Sequence, residues 1–263
     1  MSEAKPQVIP QASTDAPAPA GDPQSVEMEH ELSPRGMRWL VSVTLLLLFA
    51  ALASGTWFVH RDALRSRNRV VCIGDSLTVC GGWGGRYTDH LADLLPDAEF
   101  VNKGVNGDTL AGGRRRFLSD VLVLDPKVVV IELGANDFHQ RERSIEELRA
   151  DLEFMLLACK DRGIETVVAG VFGEHLAPDG QAGGKRYKEG DPGFGDAILR
   201  MERELSAKYG ASHVENIQYD LNQPYHWSDG RHPNAAGNLL VAQRLKPAIE
   251  AALARHAAQD PAP

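Results

Sequence analysis

The chain has no surplus of positive charge. Its 263 residues carry 28 Lys and Arg against 36 Asp and Glu, a formal net charge of −8. That excludes the basic face on which nucleic-acid binding usually rests. Cysteine is scarce: Cys72, Cys80 and Cys159 form neither a disulfide framework nor a zinc spacing. Cys72 and Cys159 lie in apolar stretches and read as small core residues. Cys80 has no basic neighbour in sequence to make it a thiolate, and reads as a packed thiol. His139, His175 and His226 show no ligand spacing such as His-x-x-x-His on one helix face. No metal or other cofactor is therefore expected. There is no internal repeat. What remains is an ordinary globular composition, 43% hydrophobic and 24% charged.

The organisation is uneven. Residues 1–34 are rich in Pro, Ala, Ser, Gln and acidic residues, with no apolar periodicity, and read as a disordered tail. An uncharged run, Trp39–Val59, follows, with Arg35 and Arg38 before it and Arg61, Arg65, Arg67 and Arg69 after it. As a helix it would cover roughly 30 Å, a hydrocarbon core, with Trp39 and Trp57 near its two ends. It is expected to be an uncleaved single-pass anchor over 35–61, with the domain that follows it periplasmic or extracellular. Ala51-Leu52-Ala53 also offers a signal-peptide reading, against which the long tail argues.

From Arg69 the pattern changes to short β-branched runs alternating with amphipathic stretches. Strands are expected at Val70–Ile73, Glu99–Asn102, Val128–Leu133, Thr166–Val171 and His213–Ile217. Helices are expected at Trp83–Leu95, Gly113–Val123, Ser144–Arg162, Phe194–Tyr209 and Asn234–His256. Ser144 with Glu147 reads as a capping box, and Gly163 as a C′ glycine. The alternation predicts an α/β fold, a three-layer α/β/α sandwich with a mainly parallel five-stranded sheet. The domain is placed at 69–256, with a disordered C-terminus at 257–263. Residues 173–193 read as a long charged loop.

In an open parallel sheet, sites form beyond the carboxyl ends of the strands. The first strand is followed by Gly74-Asp75-Ser76-Leu77, the second by Asn106-Gly107-Asp108-Thr109, the third by Gly134-Ala135-Asn136-Asp137. Ahead of the last helix stands Asp229-Gly230-Arg231-His232-Pro233. These residues suit acyl transfer. Ser76 is a candidate nucleophile, His232 the base that takes its proton, and Asp229 the carboxylate that holds the imidazole. The N–H groups of Ser76 and Gly107 and the side-chain amide of Asn136 are candidate oxyanion donors.

With these four blocks in order, residues 69–256 resemble the SGNH or GDSL hydrolases, in particular the bacterial arylesterase and lysophospholipase type. The resemblance implies Ser76 as nucleophile, Gly107 and Asn136 in the oxyanion hole, Asp229 and His232 completing the triad, no metal, and hydrolysis of esters and some thioesters. The Gly-x-Ser-x-Gly elbow of α/β-hydrolases is absent.

Other residues carry two readings each. Asp75 is a turn-fixing carboxylate or a second acid, and Asp137 a turn or helix-cap residue. His226 and Trp227 border the acyl pocket or pack. Arg114-Arg115-Arg116 and Lys185-Arg186-Tyr187-Lys188 are solvated faces or hold an anionic head group. The expected function is a membrane-anchored serine esterase acting on small acyl or acetyl esters of glycans, lipids or aryl alcohols. Acylated polysaccharide and lysophospholipid are the candidate partners. The alternatives are an O-acyltransferase to an envelope polysaccharide and a non-catalytic binding module.

Overall fold

The structure, a computed structural model, describes residues 34–172, 192–218, 221 and 223–259. The chain divides into two units, 1–53 and 54–263. The second holds a five-stranded, wholly parallel sheet in the order β2-β1-β3-β4-β5. The strands are β1 (Arg69–Gly74), β2 (Glu99–Gly104), β3 (Val128–Glu132), β4 (Glu165–Ala169) and β5 (Ser212–Val214). Between them run α2 (Ser76–Val79), α3 (Tyr87–Leu94), α4 (Leu110–Asp120), α5 (Ala135–Gln140), α6 (Ile145–Lys160) and α7 (Pro192–Tyr209). α8 (Ala235–Gln259) closes the fold.

Strand alternation distributes the core to two faces. Val71, Ile73, Val129, Ile131 and Val168 pack with Phe117 of α4, Leu152 and Met155 of α6 and Ile198 and Met201 of α7. Val70, Cys72, Val128, Val130 and Val167 pack on the other side with Tyr87 and Leu91 of α3 and Val241, Leu245 and Ile249 of α8. The three-layer α/β/α expectation is met. β3 is buried along its whole length, as a central strand covered on both faces must be. The capping box of α6 forms as expected. Gly163 adopts a left-handed φ of +66°, one residue beyond the expected C′ position, since the C-cap is Asp161.

Several boundaries differ. α3 begins at Tyr87 rather than Trp83, because Gly81, Gly82 and Gly84 take positive φ and make a turn. β5 ends at Val214, and Asn216 just beyond it has a φ of +43°. α8 continues to Gln259, so 257–259 are helical and not part of a disordered terminus. The tail at 1–33 and the loop at 173–191 lie outside the described residues.

The apolar stretch at 39–59 is helical within α1 (Pro34–Arg67). No helix among the described residues is long and apolar enough to cross a membrane. The span expected over 35–61 is therefore not supported. Ser42, Thr44 and Ser54–Thr56 interrupt the apolar run, and the Ser42 hydroxyl bonds back to Arg38 O at 2.9 Å.

The strand order reverses at β1: the chain leaves it in one direction for β2 and returns on its other side with β3. The crevice beyond such a reversal is where open α/β sheets place their sites. Close approach makes glycine necessary there. A methyl group on Gly74 would stand 2.8 Å from Glu132 O and nearer still to Thr78 Oγ1, and one on Gly104 would stand 2.9 Å from Thr78 Cβ. Gly74→Ala should cost about 1–3 kcal/mol through overpacking, read as a lower urea midpoint. An unchanged midpoint would mean that the β1–α2 junction has slack.

Candidate active site

Ser76 opens α2 because Asp75 caps it. The Leu77 N–H donates to Asp75 Oδ1 at 2.8 Å, and the Asp75 N–H donates to Glu132 O on β3 at 3.2 Å. As the first helical residue, Ser76 has an N–H with no intrahelical acceptor.

The second turn follows β2. Gly107 has a φ of +74° with open space where a Cβ would stand. Its N–H has no hydrogen-bond partner among the described residues. The third turn follows β3, where Gly134 (φ +116°) admits the chain into α5. Asn136 is brought beside the nucleophile turn. Its Nδ2 donates to Asp75 Oδ2 and to Asp108 O, each at 2.9 Å, so both amide hydrogens have acceptors. Asp137 proves to be a cap from across the fold: Leu110 N–H, at the start of α4, donates to its Oδ2 at 2.9 Å. Burial raises the Asp137 pKa above its ordinary value.

The fourth turn is self-contained. Asp229 Oδ1 accepts from the N–H groups of His232 (2.8 Å) and Arg231 (2.9 Å), and Gly230 has a φ of +76°. Ser228 N–H donates to His232 O at 2.9 Å. The turn presents His232 with Nδ1 2.7 Å from Asp229 Oδ2 and Nε2 2.9 Å from Ser76 Oγ. The pairing with the His232 side chain, reinforced by the two N–H groups, holds Asp229 well below the usual carboxylate range. Asn238 of α8 fixes this turn to the loop after α2: its Nδ2 donates to Cys80 O at 2.8 Å and Gly85 O at 3.0 Å.

A cavity of about 580 Å³ opens over these groups, lined by Ser76, Gly107, Asn136 and His232 and also by Asn106, His139 and Arg231. The structure thus brings Ser76, Gly107, Asn136, Asp229 and His232 to one place. Asn106 and Arg231 lie within the four blocks and are legible there in principle; His139 enters the sequence reading only among the histidines weighed for a metal.

Other expectations resolve differently. His226 is buried and Trp227 packs in the α8-side core, its indole donating to Leu221 O at 3.1 Å. Neither lines the cavity, which takes Ser228, Arg231 and His232 from the turn that follows them. Cys80 does line it, but burial pushes its thiol up to about 12, and Sγ donates to Leu77 O. Of the three arginines, Arg114 pairs with Asp151 at 2.9 Å and Arg115 is exposed. Arg116 is neither a solvated face nor a head-group site: it turns inward to Asp108 and two strand-end carbonyls. Among the described residues no cluster of His, Cys, Asp or Glu could hold a metal ion. His175 and Lys185–Lys188 lie outside the described residues.

The model of the GDSL-like lipase/acylhydrolase family matches residues 72–240. The esterase TesA of Pseudomonas aeruginosa is 26% identical over 187 residues, covering 69% of this chain and 87% of that protein. An acetylxylan esterase of Xylanibacter ruminicola is 28% identical over 236 residues, covering 74% of this chain but 49% of that protein, about half its length. A crystal structure of TesA has a TM-score of 0.60 at 24% identity, covering 70% of this chain and 99% of that one, a likeness of fold.

Because Asp229 keeps its charge well into acid, a fluorophosphonate should label Ser76 at a rate that falls toward low pH through one ionisation. A fall through two protons below about pH 5 would show that Asp229 is not held ionised in that range.

Proposed function

Because the chain belongs to the GDSL-like lipase/acylhydrolase family, we propose that it cleaves carboxylic esters through an acyl-enzyme on Ser76. The observation that carries the reading is the continuous relay from Ser76 Oγ through His232 to Asp229, with separations of 2.9 and 2.7 Å. A serine hydroxyl is a poor nucleophile unless a base takes its proton during attack. His232 Nε2 takes that proton as Oγ bonds to the ester carbonyl carbon. Asp229 accepts from Nδ1–H and stabilises the imidazolium. As the tetrahedral intermediate collapses, Nε2–H gives the proton to the leaving alcohol. A water then repeats the sequence on the acyl-enzyme, releasing the acid and restoring Ser76.

The carbonyl oxygen gains negative charge in each half. The N–H groups of Ser76 and Gly107 receive it without first breaking a bond. Asn136 is the conditional donor. One of its N–H groups serves a carboxylate, Asp75, and the other a neutral peptide oxygen, Asp108 O. A developing oxyanion competes best with the neutral acceptor, since charge-assisted bonds are roughly twice as strong. Asn136 then contributes more in the transition state than with bound substrate, the differential that raises kcat.

The acyl group is small and the alcohol part a glycan or a small alcohol in this proposal. The support is the acetylxylan esterase among the relatives; a cavity of about 580 Å³ has room for an alcohol part as large as a sugar. One finer element concerns location: association of the full chain with a membrane through α1, supported by the exposed side chains of Leu45–Phe49 and Leu52. Carbonate extraction tests it, and recovery of the full chain wholly in the soluble fraction would end it.

The purified protein should turn over p-nitrophenyl acetate and release acetate from acetylated xylan. Ser76→Ala should reduce both rates at least about 10³-fold. Activity surviving that change would sink the assignment. Gly107→Ala, which places a methyl group on a left-handed residue, should lower kcat by about 10²-fold, the worth of one oxyanion donor.

A further inference from the structure

Three of the four turns of the site follow separate strands, and a single side chain ties two of them together. Arg116, on the inner side of α4, is 16% exposed in its side chain. All three of its guanidinium nitrogens are engaged. Nε donates to Asp108 Oδ2 at 2.8 Å, and Nη2 lies 2.7 Å from the same oxygen. Nη2 also donates to Gly74 O at 3.1 Å. Nη1 donates to Lys103 O at 2.7 Å and reaches Asp120 Oδ2 at 3.4 Å.

The positions of these acceptors are informative. Gly74 is two residues before Ser76, Asp108 is next to Gly107, and Lys103 is the penultimate residue of β2, the strand that leads into the Gly107 turn. Gly74 and Gly104 are register partners on β1 and β2, so the carbonyls of Gly74 and Lys103 sit at the same edge of the sheet. The Gly74 carbonyl already accepts Val105 N–H at 3.0 Å, and Arg116 takes up its second lone pair. Asp108 is itself set: Oδ1 accepts Thr109 N–H at 3.0 Å, and its peptide oxygen accepts the Asn136 amide. The linkage therefore closes on itself, from Gly74 through Arg116, Asp108 and Asn136 to Asp75, the residue that follows Gly74.

We propose that Arg116 is a positioning residue that fixes the Gly107 turn against the nucleophile turn. This rests on the reading of Gly107 N–H as an oxyanion donor. The Gly107 turn is short and glycine-containing, so its distance from Ser76 needs an external brace. A misplacement of about 1 Å in such a site costs on the order of 10²-fold in rate. Lysine cannot take this place. Its ammonium is a single point charge, whereas the planar guanidinium reaches the carboxylates of Asp108 and Asp120 and two carbonyls in fixed directions.

The test uses the full chain with Arg116→Lys, Arg116→Met and Asp108→Asn, and Arg114→Met as a control on the same helix. The readouts are kcat and KM for p-nitrophenyl acetate, inhibition by an alkyl boronic acid that forms a tetrahedral adduct on the serine, and the thermal midpoint. Arg116→Lys should lower kcat about 10- to 100-fold with KM within about twofold, and weaken the boronate by a similar factor. Asp108→Asn should act in the same direction, and the double variant should cost little more than the worse single one, as coupled residues do. Arg114→Met should leave kcat and boronate affinity unchanged.

A purely structural Arg116 predicts the opposite: a lower thermal midpoint with kcat and boronate affinity held within about twofold. That result overturns the proposal, and if the Arg116 variants do not fold, Asp108→Asn decides by the same criterion. Wild-type protein without esterase activity would instead remove the reading on which the proposal rests.

Discussion

The arrangement depends on one buried carboxylate. Asp75 is fully buried, and a charge in that position is tolerated only where its oxygens have donors. One oxygen accepts from Leu77 N–H and the other from the Asn136 amide. The first bond fixes how the chain leaves β1 and therefore where Ser76 stands. The second requires the turn after β3 to lie against the turn after β1. Of the two readings open to Asp75, the turn-fixing one holds: its oxygens are engaged by structural donors and the base beside Ser76 Oγ is His232.

Topology makes that bond possible. Asp75 and Asn136 are 61 residues apart in sequence, yet β1 and β3 are neighbours, with Gly74 opposite Glu132 in the register. Because β2 lies on the far side of β1, the chain reverses at this point and leaves a crevice between the connections. Ser76, Gly107 and Asn136 stand at three adjacent strand ends. The histidine turn arrives from the end of the chain, and Asn238 on α8 secures it to Cys80 and Gly85, just past the nucleophile helix. Gly237 shows how tightly: a methyl group there would run into the His226 carbonyl.

Much of this was legible in the residues. β-branched runs marked β1 and β3, whose Val70–Ile73 and Val128–Ile131 pack both faces of the sheet. The Ser144/Glu147 box marked the start of α6. The four blocks marked the site. The short helices α2 and α5 were not legible, since six residues or fewer cannot display a 3.6-residue period. Nor was the state of the Asn136 amide, which is set by partners on two other strands. Arg116 is intermediate. It precedes the buried Phe117 and lies three residues past the buried Gly113, so helical phase separates it from Arg114 and Arg115. Its acceptors on β1 and β2 are a matter of tertiary structure alone.

The two acids nearest the reaction show how environment divides roles. Asp229 is more than half exposed in its side chain, yet it is held ionised because its own turn supplies two N–H donors and a histidine. Those bonds are local, spanning Asp229 to His232, and they survive small movements of the turn relative to the sheet. Asp75 gains one donor locally, from the first turn of α2, and the other from Asn136 on α5, and movement between α2 and α5 breaks the second. In the proposed chemistry, the half of the site that moves the proton is therefore oriented by bonds within one turn. The half that stabilises charge is built into the sheet. That separation suits the chemistry: the bonds that orient His232 stay within its own turn, whereas stabilising an oxyanion requires donors that are in place before the charge forms.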